Sequence, residues 1–505
     1  MTLLDWTIIG LYVAVMLGTG AWFAGRVQTQ DDYLLGGRSM NPWGVGLSYF
    51  ATMFSTLTYL GIPGELVRHG PMILAQLAGL PVAAFLIGRY VIPLVMQQPV
   101  TTAHQILEAR LGLGVRTLGA FFFLLMRLLW MALIIHTTSS IVLVPVMGLD
   151  PSTAPLIGIA MAVITVAYTS MGGFKAVVVT DVLQTVILFG GAILTIAVIT
   201  FDFGGFGWMP DRWAVHWQQP SLGFDPTARV SFLSVALSVA AWQCCTAGSD
   251  QMAVQRYLAT RDTRTARQML FTGLACMAAV TVTLALVGAA ILGYSIAHPD
   301  VLGGEQAILA NADGIFPLFI AKVLPSGIRG LVIGGLLAAA MSSLSSGLSS
   351  VTSVLTVDFV ERLTGRRASD FYHTLPSRLL PWIVGAVVIL LGLTISRIDG
   401  NLIEVGNKVV NILVAPLAGL FFMAMFVPSA TSFGAITGAV AGIASGLLVS
   451  YWKPLTGSDG IGFLWMLPIA LTLQMAVGCV ASLVPIGPRA RPLLTQEPRI
   501  THEKF

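Results

Sequence analysis

The segment Met341-Ser-Ser-Leu-Ser-Ser-Gly-Leu-Ser-Ser350 follows directly on the apolar run Gly330–Ala340. On a helix, Ser342, Ser346, Ser349 and Ser353 fall at i, i+4, i+7 and i+11 and line one face, with Ser345 flanking it. A row of hydroxyls at membrane depth has two uses. It lets helices approach closely and hydrogen-bond across the contact, or it offers a small hard cation the oxygen ligands it needs. Ionisable residues inside apolar runs are the next candidates, because a charge in a membrane is costly and is kept for function. Asp181 begins such a run. It is either a solvated helix-start carboxylate, favoured by the helix dipole, or a cation ligand facing the serines. Arg127 lies about three turns into its run, where it can snorkel, pair with Asp181 or meet a substrate anion. Lys408 faces a similar choice between snorkelling outward and a substrate carboxylate. His136 reads as a structural histidine or as a proton relay. No nucleophile–base arrangement, phosphate-cradling loop or metal-ligand spacing accompanies these residues, so no enzyme is expected. The four cysteines form no CxxC pair, which argues against a disulfide framework or a cysteine metal site.

The elements that position these groups must be membrane helices. Of the 505 residues 56% are hydrophobic and only 10% charged, against roughly 25% charged in soluble domains. The mean hydropathy is +0.84. Thirteen apolar runs are long enough to cross a bilayer: about 5–25, 43–67, 71–95, 117–146, 153–170, 179–201, 230–254, 268–295, 327–358, 379–397, 401–427, 433–451 and 461–485. The first carries no basic leader and reads as a retained helix. Seventeen basic residues, Arg116 and Arg256 among them, fall in one set of alternate loops and the C-terminal tail, against seven in the other set. The positive-inside rule then places the N-terminus outside and the C-terminus in the cytoplasm of a plasma-membrane protein. With the basic residues in loops, the net charge of +4 gives no reason to expect nucleic acid. The outside loop 296–326 contains a short surface helix over Gly314–Lys322, and the polar tail 486–505 is expected to be disordered.

Two runs contain helix-breaking residues: Thr56-Leu-Thr-Tyr-Leu-Gly-Ile-Pro-Gly64 in the second and Trp242-Gln-Cys-Cys-Thr-Ala-Gly-Ser-Asp250 in the seventh. Unwound backbone frees carbonyls that need partners, and paired broken helices in corresponding halves mark a transporter binding site near the midplane. Ordinary Pro/Gly kinks are the alternative. Two inverted five-helix repeats, 43–201 and 230–427, with one helix before them (5–25) and two after (433–485), account for thirteen spans in a single transporter domain.

Ser48-Tyr-Phe-Ala-Thr-Met-Phe-Ser-Thr-Leu-Thr-Tyr-Leu-Gly-Ile-Pro63, Met171–Gln184, Ser249–Ala259 and Ala338–Ser350 resemble, in the same order, motifs of the sodium:solute symporters. The resemblance runs from about Asp31 to Phe426 and implies the leucine-transporter type of inverted repeat. It implies a main sodium site at the positions matching the family's ligands: the backbone carbonyls of Ala51, Phe54 and Ala339 and the hydroxyls of Ser342 and Ser343. It also implies a second sodium site, present in some members, at Asp181, Ser342, Ser345 and Ser346. Ser55, Thr58, Gln76, Gln243 and Asn411 match positions that line or approach the solute pocket. Sugar-transporting members tend to carry Glu-Gln where this chain has Leu57-Thr58, and sialic-acid-transporting members carry an arginine at the position of Met131. The Thr56–Pro63 segment is closest to the branch carrying monocarboxylates, vitamins and anions. The expectation is a symporter that couples sodium to import of a small organic solute, with a carboxylate favoured. Proton coupling through Asp181 or His136 and a transporter-fold sensor are the alternatives. The expected partners are the solute, sodium ions and the lipid bilayer.

Overall fold

The computed structural model describes residues 1–223, 229–304, 309–365, 375–395, 402–457, 461–484 and 486, and no β-strand occurs among them. The principal helices are α1 (Leu3–Ala24), α2 (Pro42–Met53), α3 (Thr56–His69), α4 (Pro71–Met96), α5 (Leu113–Met147), α6 (Pro151–Asp202), α7 (Phe232–Ser249), α8 (Gln251–Leu258), α9 (Thr263–Ala297), α10 (Ile328–Thr364), α11 (Leu375–Ile395), α12 (Leu402–Phe426), α13 (Ser432–Ser450) and α14 (Phe463–Ala481). Nine of them are long and apolar enough to cross a membrane, and the pair α2–α3, bent by 66°, makes ten; α11 and α12 contribute shorter apolar stretches. The tail beyond Ile486 lies outside the described residues.

Local sequence signals set the helix ends. Thr2 and Asp5 form a capping box at α1, Ser231 and Ser234 at α7, and Asp262 and Thr265 at α9. Asn41 caps α2 with Pro42 in its first turn. The fifth and sixth expected spans are joined in α6 without an intervening loop. Its 52 residues would measure about 78 Å if straight, well beyond a ~30 Å hydrocarbon core. One non-helical residue, Gly173 (φ 57°, ψ −156°), divides it. Both halves pack on α10: the Tyr168 hydroxyl donates to Met341 O at 3.2 Å, and the Ser346 hydroxyl to Asp181 at 3.4 Å. Within the loop 296–326, expected outside the membrane, the short helix is Ile315–Lys322, and it buries Phe316 and Phe319 instead of lying on the surface.

α10 runs through the middle of the molecule, with 94% of its most apolar window buried, while α1 is only 22% buried over the same length. The serine stripe therefore faces protein. Side chains such as Leu11, Phe85, Val186 and Leu390 are exposed on the outer helices, as lipid contact requires.

Candidate functional site

Both expected helix breaks are present; the first lies ahead of its expected segment and the second at the last residue of its own. In the second run the break is at Phe54 (φ −109°, ψ 109°) and Ser55 (φ −105°, ψ 172°), ahead of Thr56–Gly64, which is helical with Pro63 inside it. Gly288 packs against Pro63, where an added Cβ would meet Pro63 O at 2.7 Å, so a neighbouring backbone holds that proline in place. In the seventh run the helix continues to Ser249. Only Asp250 is extended, and its side chain caps α8 by accepting from Met252 N at 2.9 Å.

The first break meets the serine stripe. The Ser342 hydroxyl lies 3.0 Å from Ala51 O and 3.2 Å from Ala339 O, and the Ser343 hydroxyl lies 3.4 Å from Phe54 O. Ser342, Ser343, Ala51 and Phe54 are all buried. Three carbonyls and two hydroxyls thus converge where α2 ends, all of them neutral oxygens. The serines supply the partners that freed carbonyls need in a membrane.

Toward the other end of α2 is a charged cluster. Asp181 is fully buried, which rules out the solvated helix-start reading. Its Oδ2 accepts from Ser48 Oγ at 2.5 Å and from Arg256 at 3.1 Å. The Arg256 guanidinium also donates to Ser48 Oγ at 2.9 and 3.1 Å, Ser346 Oγ at 2.6 Å and Met252 O at 2.8 Å. Asp181 and Ser346 are therefore neighbours, as the resemblance implies. Ser342 points instead to Ala51, and Ser345 donates to Ser342 O at 3.0 Å. Arg256, counted above with the cytoplasmic loops, is fully buried. Arg116, counted the same way, is also buried and pairs with Asp358 at 2.6 Å. Loop position in the sequence does not reveal that a helix end is covered by its neighbours. One signal pointed to Arg256: Asp250-Gln-Met-Ala-Val-Gln-Arg256 places four polar groups in seven residues immediately after an apolar run.

Arg127 neither snorkels nor reaches Asp181. It is buried and forms an ion pair with Asp250 at the second break. Gln243 is held by the Tyr49 hydroxyl at 3.4 Å and by Met277 Sδ at 3.0 Å. Thr58 is half-buried. Ser55 Oγ, Gln76 Nε2 and Arg127 Nε are buried without a hydrogen-bond partner. The side chains of Lys408 and Asn411 lie outside the described residues. His136 contacts Ser140 Oγ at 3.3 Å and lines a cavity of about 330 Å³ with Ser139 and Gly392.

A family model described as the sodium:solute symporter family matches residues 33–442. The chain belongs to this family. Among curated proteins it is 28% identical to the sodium/sialic acid symporter SiaT of Proteus mirabilis over 90% of each chain. It is 26% identical to the sodium-coupled monocarboxylate transporter 1 of Xenopus laevis over 89% of this chain and 72% of that one. Among solved structures it matches the substrate-bound outward-open state of a Na+-coupled sialic acid symporter, described as revealing a novel Na+ site. That match has a TM-score of 0.81 and 26% identity and covers 97% of this chain and 99% of that one. A nucleobase-cation-symport-1 family transporter shares the fold at a TM-score of 0.60 and 13% identity. This family member is thus a multi-pass membrane transporter, with sodium as its coupling ion and a small solute as its cargo.

Proposed function

We propose that this symporter imports a small organic carboxylate with sodium bound at Ala51 O, Phe54 O, Ala339 O, Ser342 Oγ and Ser343 Oγ. The observation that carries the site is the approach of the two serine hydroxyls to the carbonyls of the broken helix at 3.0 to 3.4 Å. A cation there takes over the partnership that the serine protons now supply and turns the hydroxyl lone pairs inward. It ties α2 to α10 and so orders the adjoining solute pocket. The coupling is reciprocal: sodium and solute tighten each other by the same factor.

The solute pocket adjoins the two breaks. Ser55 Oγ, Gln76 Nε2 and Arg127 Nε are buried polar atoms that a polar solute can satisfy, with Thr58, Gln243, Lys408 and Asn411 as further candidate lining residues. Arg127 supplies the positive charge for a carboxylate, which competes with Asp250 for the guanidinium. Leu57-Thr58 and Met131 stand where sugar- and sialic-acid-transporting members carry their recognition residues, so a smaller anion fits this chain better. The spans number thirteen, arranged as two inverted repeats of five with one helix before and two after. Basic loop residues support an outside N-terminus and a cytoplasmic C-terminus. Alternating access then follows from rocking one helix group against the other.

The test is the melting temperature of the purified protein with a panel of small carboxylates and neutral solutes, in sodium and in potassium. A ligand specific for the folded state stabilises it by ~2.7 kcal/mol at a hundredfold excess over its dissociation constant. Stabilisation by a carboxylate in sodium alone is expected. A neutral solute acting in place of the carboxylates would reject the substrate class. Equal shifts in both salts would reject the sodium site.

A further inference from the structure

Arg127 and Asp250 are opposite charges buried against each other at the second break, and a plain carboxylate satisfies only one of them. We infer that the solute carries an amino group beside its carboxylate, with Arg127 taking the carboxylate and Asp250 the amino group, so that this symporter accepts a zwitterion of the amino-acid class. The inference rests on the proposed reading of Arg127 as the carboxylate-binding residue of the solute pocket, and it narrows that reading.

The polar inventory of the pair carries it. The Asp250 side chain is 1% exposed and that of Arg127 7%. Asp250 Oδ1 is occupied at the start of α8, where it accepts from Met252 N at 2.9 Å. Capping alone does not call for a charge, because Asn, Ser or Thr serves equally well at such a position. Asp250 Oδ2 has the Arg127 guanidinium as its ion-pair partner and no hydrogen bond. Arg127 Nε is likewise buried without a hydrogen bond. Among the described residues neither side chain joins any other ion pair. Each is the sole compensating charge of the other.

A carboxylate that enters and takes the guanidinium therefore leaves Asp250 ionised, buried and unpaired, which is strongly unfavourable. An amino group on the same solute removes that cost. The solute carboxylate replaces Asp250 at Arg127, where a guanidinium offers two parallel N–H donors. The ammonium, with three donors, replaces Arg127 at Asp250 Oδ2, and every charge keeps a partner. The distance between the solute charges is constrained as well. Arg127 and Asp250 are in direct contact, so the two solute groups must lie close together, as in an α- or β-amino acid, and not at opposite ends of a long chain.

The test is the melting temperature of the purified full chain in sodium, titrated with the standard amino acids and β-alanine, each beside its deaminated acid and its decarboxylated amine. An amino acid is expected to stabilise the protein, with its deaminated acid and its amine binding at least about tenfold more weakly, since each lacks one charged contact. In D250N the deaminated acid is expected to bind at least as well as the amino acid. A deaminated acid that matches its amino acid in wild type overturns this inference and leaves the carboxylate reading standing. Stabilisation by amines or uncharged solutes, with no effect of any acid or amino acid, overturns both. The wild-type panel decides these outcomes whether or not D250N folds. An unchanged preference for the amino acid in a folded D250N also overturns the inference, since the amino group then meets another residue and the pair is a structural tie.

Discussion

At the level of single residues, the proposed ion site shows why side-chain chemistry alone would under-describe it. Ala51, Phe54 and Ala339 would contribute only backbone carbonyls, so their side chains carry no ion signal; Ser342 and Ser343 are the part a substitution can remove. A hydrogen bond or ligand contact to a charged group is worth ~1.5–3 kcal/mol. Ser343→Ala is therefore expected to weaken sodium at least about tenfold, read as the sodium concentration that half-maximally raises the melting temperature, while expression stays normal. Unchanged sodium dependence would remove Ser343 from the site. Arg127 and Asp250 form a different kind of pair, with both side chains buried. Removing one partner leaves the other charged and uncompensated, at a cost of about 3–5 kcal/mol. R127M is expected to lower the melting temperature strongly, and R127M/D250N to recover much of the loss. A double variant as unstable as the single one would show that the two charges do not compensate each other.

Among the helices, the decisive features are single-residue interruptions. Gly173 turns α6 at φ 57° and ψ −156°, a backbone region almost confined to glycine that costs any other residue about 1–3 kcal/mol. A Cβ there would lie 2.7 Å from the Tyr33 ring. Gly173→Ala is expected to destabilise the protein by more than the backbone term alone, through the clash with Tyr33. Thermal melts checking this should show a clear loss, and a neutral result would mean that α6 can turn elsewhere. The other interruptions, Phe54–Ser55 and Asp250, fall beside the serine stripe and Arg127 respectively. Pro63 was the more obvious breaker by type, yet it sits inside α3. Membrane helices tolerate proline where neighbouring helices re-satisfy or cover the freed backbone group.

For the whole molecule, the charged groups gather where helix ends meet. Asp358 at the end of α10 binds Arg116 at 2.6 and 2.7 Å and Thr102 at 3.1 Å, with His104 at 3.5 Å. Glu108 pairs with both Arg116 and Arg362. This network joins the end of α10 to the start of α5. Asp358→Asn is expected to loosen it. The readout is labelling of a cysteine at Ser350 by a membrane-impermeant thiol reagent, in a background without the native cysteines, and the rate should rise several-fold. An unaltered rate would show that the network does not hold these helix ends together. Acid should act in the same direction. Burial raises the Glu108 carboxyl, but hydrogen bonds from Arg116 and Arg362 outweigh it and hold the group below its ordinary value of 4.5. A depressed carboxylate contributes stability above that ordinary value and loses it as pH falls through the lowered one. The melting temperature should therefore fall more steeply below about pH 4.5 in wild type than in E108Q.

The sequence by itself determined the all-helical membrane class, the serine stripe, the presence of two broken helices and the family, because hydropathy, periodicity and motif order are local properties of the chain. It also brought Ala51, Phe54, Ala339, Ser342 and Ser343 into one expected site. Tertiary structure decided the partners of the charges. Asp181 could have been a solvated cap, an ion ligand or the mate of Arg127. Its match to Arg256, 75 residues away, depends on four helices meeting at one point. The physical reason is that a buried charge takes whichever opposite charge packing brings within reach, and that distance is written in the fold and not in the spacing along the chain.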